Sequence, residues 1–124
     1  MTSYAGIWLS RYEYFSSSRN ATFTSEHHVL VEEDGDLLTV NSVSGSADSD
    51  LWMTLAVQGG VATGTWTENT DPDGYYHGAR YDGALRLEVD AGGRYMTGKW
   101  IGFGRNGEAN TGPWTLELLE VSTA

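Results

Sequence analysis

Cysteine is absent from the 124-residue chain, which excludes disulfides and every thiolate metal site and fits a reducing compartment. Apolar stretches are short, and none approaches the ~20 residues of a membrane-spanning helix. The opening MTSYAGIWLSRYEYF has neither the basic start nor the apolar middle of a secretory signal. A cytoplasmic location is therefore expected, and the Asn20-Ala21-Thr22 sequon is read as accidental. Positive charge is scarce as well. Seven Lys and Arg stand against seventeen Asp and Glu, for a net charge of −10. The basic residues (Arg11, Arg19, Arg80, Arg86, Arg94, Lys99 and Arg105) form no cluster, so direct binding of nucleic acid is not expected. No apolar 3.6-residue period persists for three turns, which removes any substantial helix. What the chain holds instead is sixteen Gly, five Trp, seven Tyr and three Phe, with only two Pro. That composition, at this length, describes one antiparallel β domain with tight turns.

The glycines and tryptophans recur together. Thr63-Gly64-Thr65-Trp66 is echoed by Thr97-Gly98-Lys99-Trp100 and by Thr111-Gly112-Pro113-Trp114, with a shorter Gly6-Ile7-Trp8 near the start. Residues two apart on a strand share a face, so each Gly sits beside its Trp on one side of a sheet. The missing Cβ is expected to leave room for an aromatic ring from a neighbouring strand. Repeated over several strands, the pattern suits the inside of a small closed barrel.

Alternation predicts eight strands, at residues 6–14, 22–32, 37–43, 51–57, 61–68, 75–89, 95–104 and 114–120. On the first, the Gly-x-Trp echo argues that Trp8, Ser10, Tyr12 and Tyr14 face inward. On the fourth, Leu51, Met53, Leu55 and Val57 form the better core face; on the fifth, Ala62, Gly64, Trp66 and Glu68 lie together. Glu33-Asp34-Gly35-Asp36 has hairpin-turn composition. Asp71-Pro72-Asp73-Gly74 places Asp, Pro and Gly as a type I turn wants them. Eight antiparallel strands with short turns predict an up-and-down barrel, with a sandwich as the structural alternative.

Candidate chemistry follows from what faces inward. Trp8, Tyr12, Tyr14, Trp66, Tyr76, Trp100 and Trp114 have the composition of a small-molecule pocket, although aromatics equally fill cores. Two features favour a pocket: most of the rings carry a polar handle, and the glycines beside them remove volume that a solid core would fill. His27 and His28 are adjacent, so a regular strand points them to opposite sides and they cannot share a metal. One of them faces inward, free to bond a ligand or to be satisfied in the interior, and His28 joins the candidate pocket set. Glu68 shares a face with Trp66, where an inward carboxylate beside an indole could serve acid–base catalysis; the plain and preferred reading is a strand-end Glu at the rim, paired with Arg80 or solvated. The oxygens of Glu68, Asn69, Asp71 and Asp73 lack the spacing of a calcium loop, and the turn accounts for Pro72 and Gly74 without one. No nucleophile elbow, phosphate loop or dinucleotide fingerprint is present, and no cofactor or metal is expected.

Two resemblances attach to these residues. Gly6-Ile7-Trp8 at the head of an eight-strand meander, with the TGTW repeats, resembles the calycin group of lipocalins and avidins and implies a barrel. The longer segments YAGIWLSRYEYFSSSR, TGTWTENTDPDGYYHGARYDGA, MTGKWIGFG and NTGPWTLEL resemble the C-terminal domain of certain bacterial helix-turn-helix regulators of the XRE type. That resemblance covers most of the chain and implies a sensory or effector module, excised or standing alone, because the first strand opens at Gly6 with no helical domain before it. It implies no catalytic residues. The expected function is binding of a small, largely apolar or aromatic molecule inside the barrel, without membrane association. The competing readings are protein–protein contact such as homodimerisation of a regulator, and a cyclase- or isomerase-type enzyme using an interior Glu or His.

Overall fold

The computed structural model describes residues 3–103 and 107–122. Eight strands follow one another: β1 (Gly6–Ser16), β2 (Ala21–Asp34), β3 (Leu37–Ser42), β4 (Asp50–Gln58), β5 (Val61–Asn69), β6 (Arg80–Val89), β7 (Tyr95–Phe103) and β8 (Ala109–Val121). Each pairs antiparallel with the next, and β8 returns to β1 to close the barrel. No helix occurs among the described residues. The seam joins Gly6 to Val121 and Tyr12 to Trp114, with a shift of register between Ile7 and Trp8.

In this up-and-down order the turns β2–β3, β4–β5 and β6–β7 gather at one end, and the four other connections gather at the opposite end. The first end is packed solid. Trp8, Val29, Val31, Leu38, Val40, Leu55, Leu87, Met96, Trp114 and Leu116 are all buried there or in the barrel's middle. They are the inward rows of an alternating pattern, and close packing of this kind supplies most of the folded state's stability. Trp8 donates its indole N–H to the Tyr4 carbonyl at 2.8 Å, and Trp114 donates to Ser10 Oγ at 2.9 Å. Both buried donors are therefore satisfied.

Most boundaries differ from the sequence reading by a residue or two, and three bear on the site or its hairpins. The strand expected from Tyr75 begins only at Arg80, because residues 70–79 spend their backbone groups on themselves. The Asp71 carbonyl accepts from the amides of Gly74 (3.0 Å) and Gly78 (3.1 Å), and Asp71 Oδ1 accepts from the Asp73 amide (2.9 Å). The turn at Asp71–Gly74 is thus present, and a second turn follows it with His77 and Gly78 at positive φ. The last strand starts five residues early, at Ala109, and takes in Pro113, which is exposed. The second strand extends to Asp34, so its hairpin turns on Gly35 and Asp36. Gly104 and Arg105, assigned to a strand end and a loop, lie outside the described residues.

The role expected of the glycines needs correction. A Cβ at Gly64 would collide with the Thr54 carbonyl, and one at Gly98 with the Arg86 carbonyl. What fills the space beside these residues is the neighbouring strand's backbone rather than a ring. The glycines that make room for a ring are Gly102 and, among the repeats, Gly112. Trp66 on β5 is in register with Gly83 on β6, which is in register with Gly102 on β7. The indole lies across that row, 2.6 Å from where a Gly102 Cβ would stand, and donates to the Ile101 carbonyl at 3.3 Å. Trp100 on β7 faces Gly112 on β8 and reaches past it to donate to the Glu13 carbonyl on β1 at 3.0 Å. Each glycine lets an indole N–H find a carbonyl two strands away.

Candidate functional site

Above the packed half, the barrel opens into a cavity of about 870 Å³. Its lining includes residues from the four connections at that end: Ser17 to Arg19, Ala47 to Ser49, Thr70 to His77, and Glu108. The wall is aromatic, because the inward rows of β1, β5, β6 and β7 end in Tyr12, Tyr14, Trp66, Tyr81 and Trp100. Tyr12 packs on Trp114 with ring centroids 4.5 Å apart, and Trp66 meets Trp100 edge-on at 5.5 Å. Such pairs hold one another's rotamers, so the wall is pre-formed rather than assembled by a ligand.

A chain of polar groups crosses this wall. Tyr12 donates its hydroxyl to Glu68 Oε1, Ser49 donates to Glu68 Oε2 at 2.8 Å, and Ser49 Oγ lies 2.8 Å from His27 Nε2. With the serine proton on Glu68, His27 must be the Nε2–H tautomer, donating to Ser49. Its other nitrogen, Nδ1, is buried and unpartnered. Glu68 is only 5% exposed, and among the described residues its ion-pair contact is His27, at 3.7 Å. Burial pulls the His27 ring below its usual pKa, against the opposing pull of Glu68 and Asp50. Burial, reinforced by Glu68, pushes the Tyr12 phenol well above its ordinary range. Tyrosine stays a donor, histidine stays neutral, and the carboxylate has no Lys or Arg counter-cation among the described residues.

At the mouth, the β1–β2 hairpin is clasped to the 70–79 loop. The Arg19 guanidinium lies 3.8 Å from the Phe23 centroid and 4.2 Å from that of Tyr75. It also donates to Tyr76 Oη at 3.3 Å and Tyr14 Oη at 3.5 Å. Tyr75 adds a bond to Ser18 Oγ at 3.0 Å.

Most of the aromatic residues expected at the site come together here. Tyr12, Tyr14, Trp66, Tyr76, Trp100 and Glu68 line the cavity. Trp8 and Trp114 are fully buried, Trp8 in the packed half and Trp114 beneath Tyr12. Neither of these two lines the cavity, and two further residues lie outside the barrel interior altogether. His28 is exposed on the barrel's outer face; its neighbour His27, in register with the inward Ser10, occupies the interior. Arg80 is also exposed, with its guanidinium 5.8 Å from the Trp52 ring rather than paired with Glu68. Arg19 and Ser49 were missed, since polar stretches such as 15–20 and 44–50 read only as loops.

Comparison with known proteins yields a fold and no family. No protein-family model and no curated protein sequence matches the chain. A solved structure that resembles it is that of the vaccine antigen transferrin binding protein B from Haemophilus parasuis Hp5, a tryptophan-to-alanine mutant. The match has a TM-score of 0.59 at 11% identity and covers 98% of this chain but 27% of the other. The chain is thus similar over nearly its whole length to about a quarter of that antigen, and what it shares with it is an eight-stranded antiparallel barrel.

Proposed function

We propose that this barrel binds a small, largely apolar or aromatic molecule in its open half. One observation carries the reading: one end of the barrel is packed solid, while the other holds a cavity of about 870 Å³ walled by aromatic rings. That volume is in the range of small-molecule sites, and so is the mixture of rings with a few fixed polar groups. Exposed apolar side chains occur at the mouth (Phe15, Phe103), on the outer wall (Leu30, Ile101) and at the far end (Leu37, Leu119, Val121). The outward row of β5 (Thr63, Thr65, Thr67, Asn69) is polar, unlike the lipid-facing band of a membrane barrel, while that of β7 is mixed (Tyr95, Thr97, Lys99, Ile101, Phe103). A sensory role, in which occupancy of the barrel is the signal, rests on the sequence resemblance to regulator C-terminal domains alone, since no family model matches the chain.

Native mass spectrometry of protein purified from its own host tests this. The expected result is a retained molecule on the order of a few hundred daltons, lost on denaturation, whose return changes tryptophan fluorescence. Protein that carries no small molecule, and whose fluorescence no compound in an aromatic library alters, would remove the reading.

A further inference from the structure

Glu68 is a buried carboxylate on the cavity lining with hydroxyl donors on both oxygens and no Lys or Arg partner among the described residues. Two accepted bonds leave about half of a carboxylate's acceptor sites open. A buried anion without a counter-charge is costly unless something completes it. Tyr12 and Trp66, aromatic rings of the kind that attract cations, line the same cavity, and Asp48, Asp71 and Glu108 add negative charge at the rim. The guanidinium on the described lining, Arg19, is stacked on Phe23 and Tyr75 at the mouth and forms no ion pair with Glu68.

We infer that the cavity is a site for an organic cation, with the protonated nitrogen seated on Glu68 beside the rings of Tyr12 and Trp66. This rests on the proposal that the cavity takes a small molecule, and it names the group recognised there. His27 completes the argument from the other side. Its Nε2–H is committed to Ser49, and burial disfavours its charged form, so the positive charge must come from outside. Tyr12 and Ser49 then act as positioning residues that hold the carboxylate oxygens for the ligand.

Three ligands of one shape and different charge test the inference by calorimetry at pH 7.5: 2-naphthylmethylammonium, 2-naphthalenemethanol and 2-naphthoate. The ammonium is expected to bind at least about tenfold tighter than the alcohol, the naphthoate weakest, as a charge-assisted bond to a buried acceptor implies. Glu68→Gln should bring the ammonium down to the alcohol's affinity. The rim variant Asp48→Asn should cost less than Glu68→Gln; equal losses in both would assign the preference to the field of the mouth and overturn the seat on Glu68. Should Glu68→Gln fail to fold, the wild-type ranking and the Asp48→Asn variant decide. Alcohol binding as tightly as ammonium would sink the cation and leave the small-molecule cavity standing. Tightest binding of naphthoate would move the recognised group to Arg19, and silence from all three would remove both readings.

Discussion

His27, Ser49, Glu68 and Tyr12 form a chain in which each proton has one sensible place, and that makes the site sensitive to acid. The His27 ring has its pKa lowered from 6.5 mainly by burial, with Glu68 and Asp50 opposing. Unfolded, the ring takes up a proton near its ordinary value; folded, it resists until lower pH. Between those two values the unfolded chain binds more protons, so stability falls as pH drops. The contribution is fully present above 6.5 and is lost on the way down to the folded pKa. Melting temperature should therefore decline from pH 7.5 to 5.5 in the wild type and decline less in His27→Gln, the difference isolating this ring from the general acid response of a −10 chain. Parallel curves for the two proteins would take His27 out of the account. Choosing His27 over His28 was beyond sequence because neighbours on a strand differ only in which side they face. The pairing that settles it, Ser10 with His27, depends on where the β1–β2 hairpin turns. Arg19 was out of reach for a related reason: its partners Phe23, Tyr75 and Tyr76 lie on two separate elements.

At the scale of strands, the Gly-x-Trp repeats were legible as marks of the inside of a barrel, and the register bears that out. Their purpose was not. Alternation says which face a glycine occupies; it does not say whether a ring or a backbone fills the missing Cβ's place, since that depends on how tightly the sheet coils. The structure separates the cases, and substitutions should follow it. Gly64→Ala and Gly98→Ala put a methyl into a neighbouring carbonyl, where no side-chain rotation relieves it. Each is expected to cost at least the ~1–3 kcal/mol of ordinary overpacking. Gly92→Ala, in the β6–β7 turn with no atom closer than Asp90 Oδ2 at 4.0 Å, should be close to neutral. Denaturant melts of the three variants provide the check; a neutral Gly64→Ala or Gly98→Ala would show that the strands can separate there at no cost. The β5–β6 connection teaches the reverse lesson. Tyr75 and Tyr76 alternate plausibly as strand, but the Asp71 turn and the left-handed His77 and Gly78 close a compact loop that carries both rings to the mouth instead.

For the whole molecule, eight strands, their order and the inward rows of β1, β4, β5 and β7 follow from alternation and turn chemistry, because each is a local signal repeated eight times. The cavity does not, since it is the difference between two halves of one interior and emerges only after closure of β8 on β1. Charge is the other property that belongs to the whole. The basic residues are dispersed and mostly engaged: Arg11 pairs with Glu26, Arg86 with Glu88, Arg19 is clasped at the mouth, and Arg80 lies beside Trp52. Arg86 and Lys99 are register partners on the outer face, but Glu88 is 3.3 Å from the Arg86 guanidinium and partly cancels that pair. Binding to duplex DNA depends on releasing counterions through several cation–phosphate contacts, each of which must outweigh repulsion from a net charge of −10. Two adjacent cations give that term very little to act on. The chain by itself is therefore expected to show no affinity for a labelled duplex in fluorescence anisotropy at 50 to 150 mM salt, conditions under which nonspecific binders are usually seen at about 10⁻⁴–10⁻⁶ M. Submicromolar binding that weakens steeply with added salt would reveal a phosphate-contacting surface and overturn the expectation.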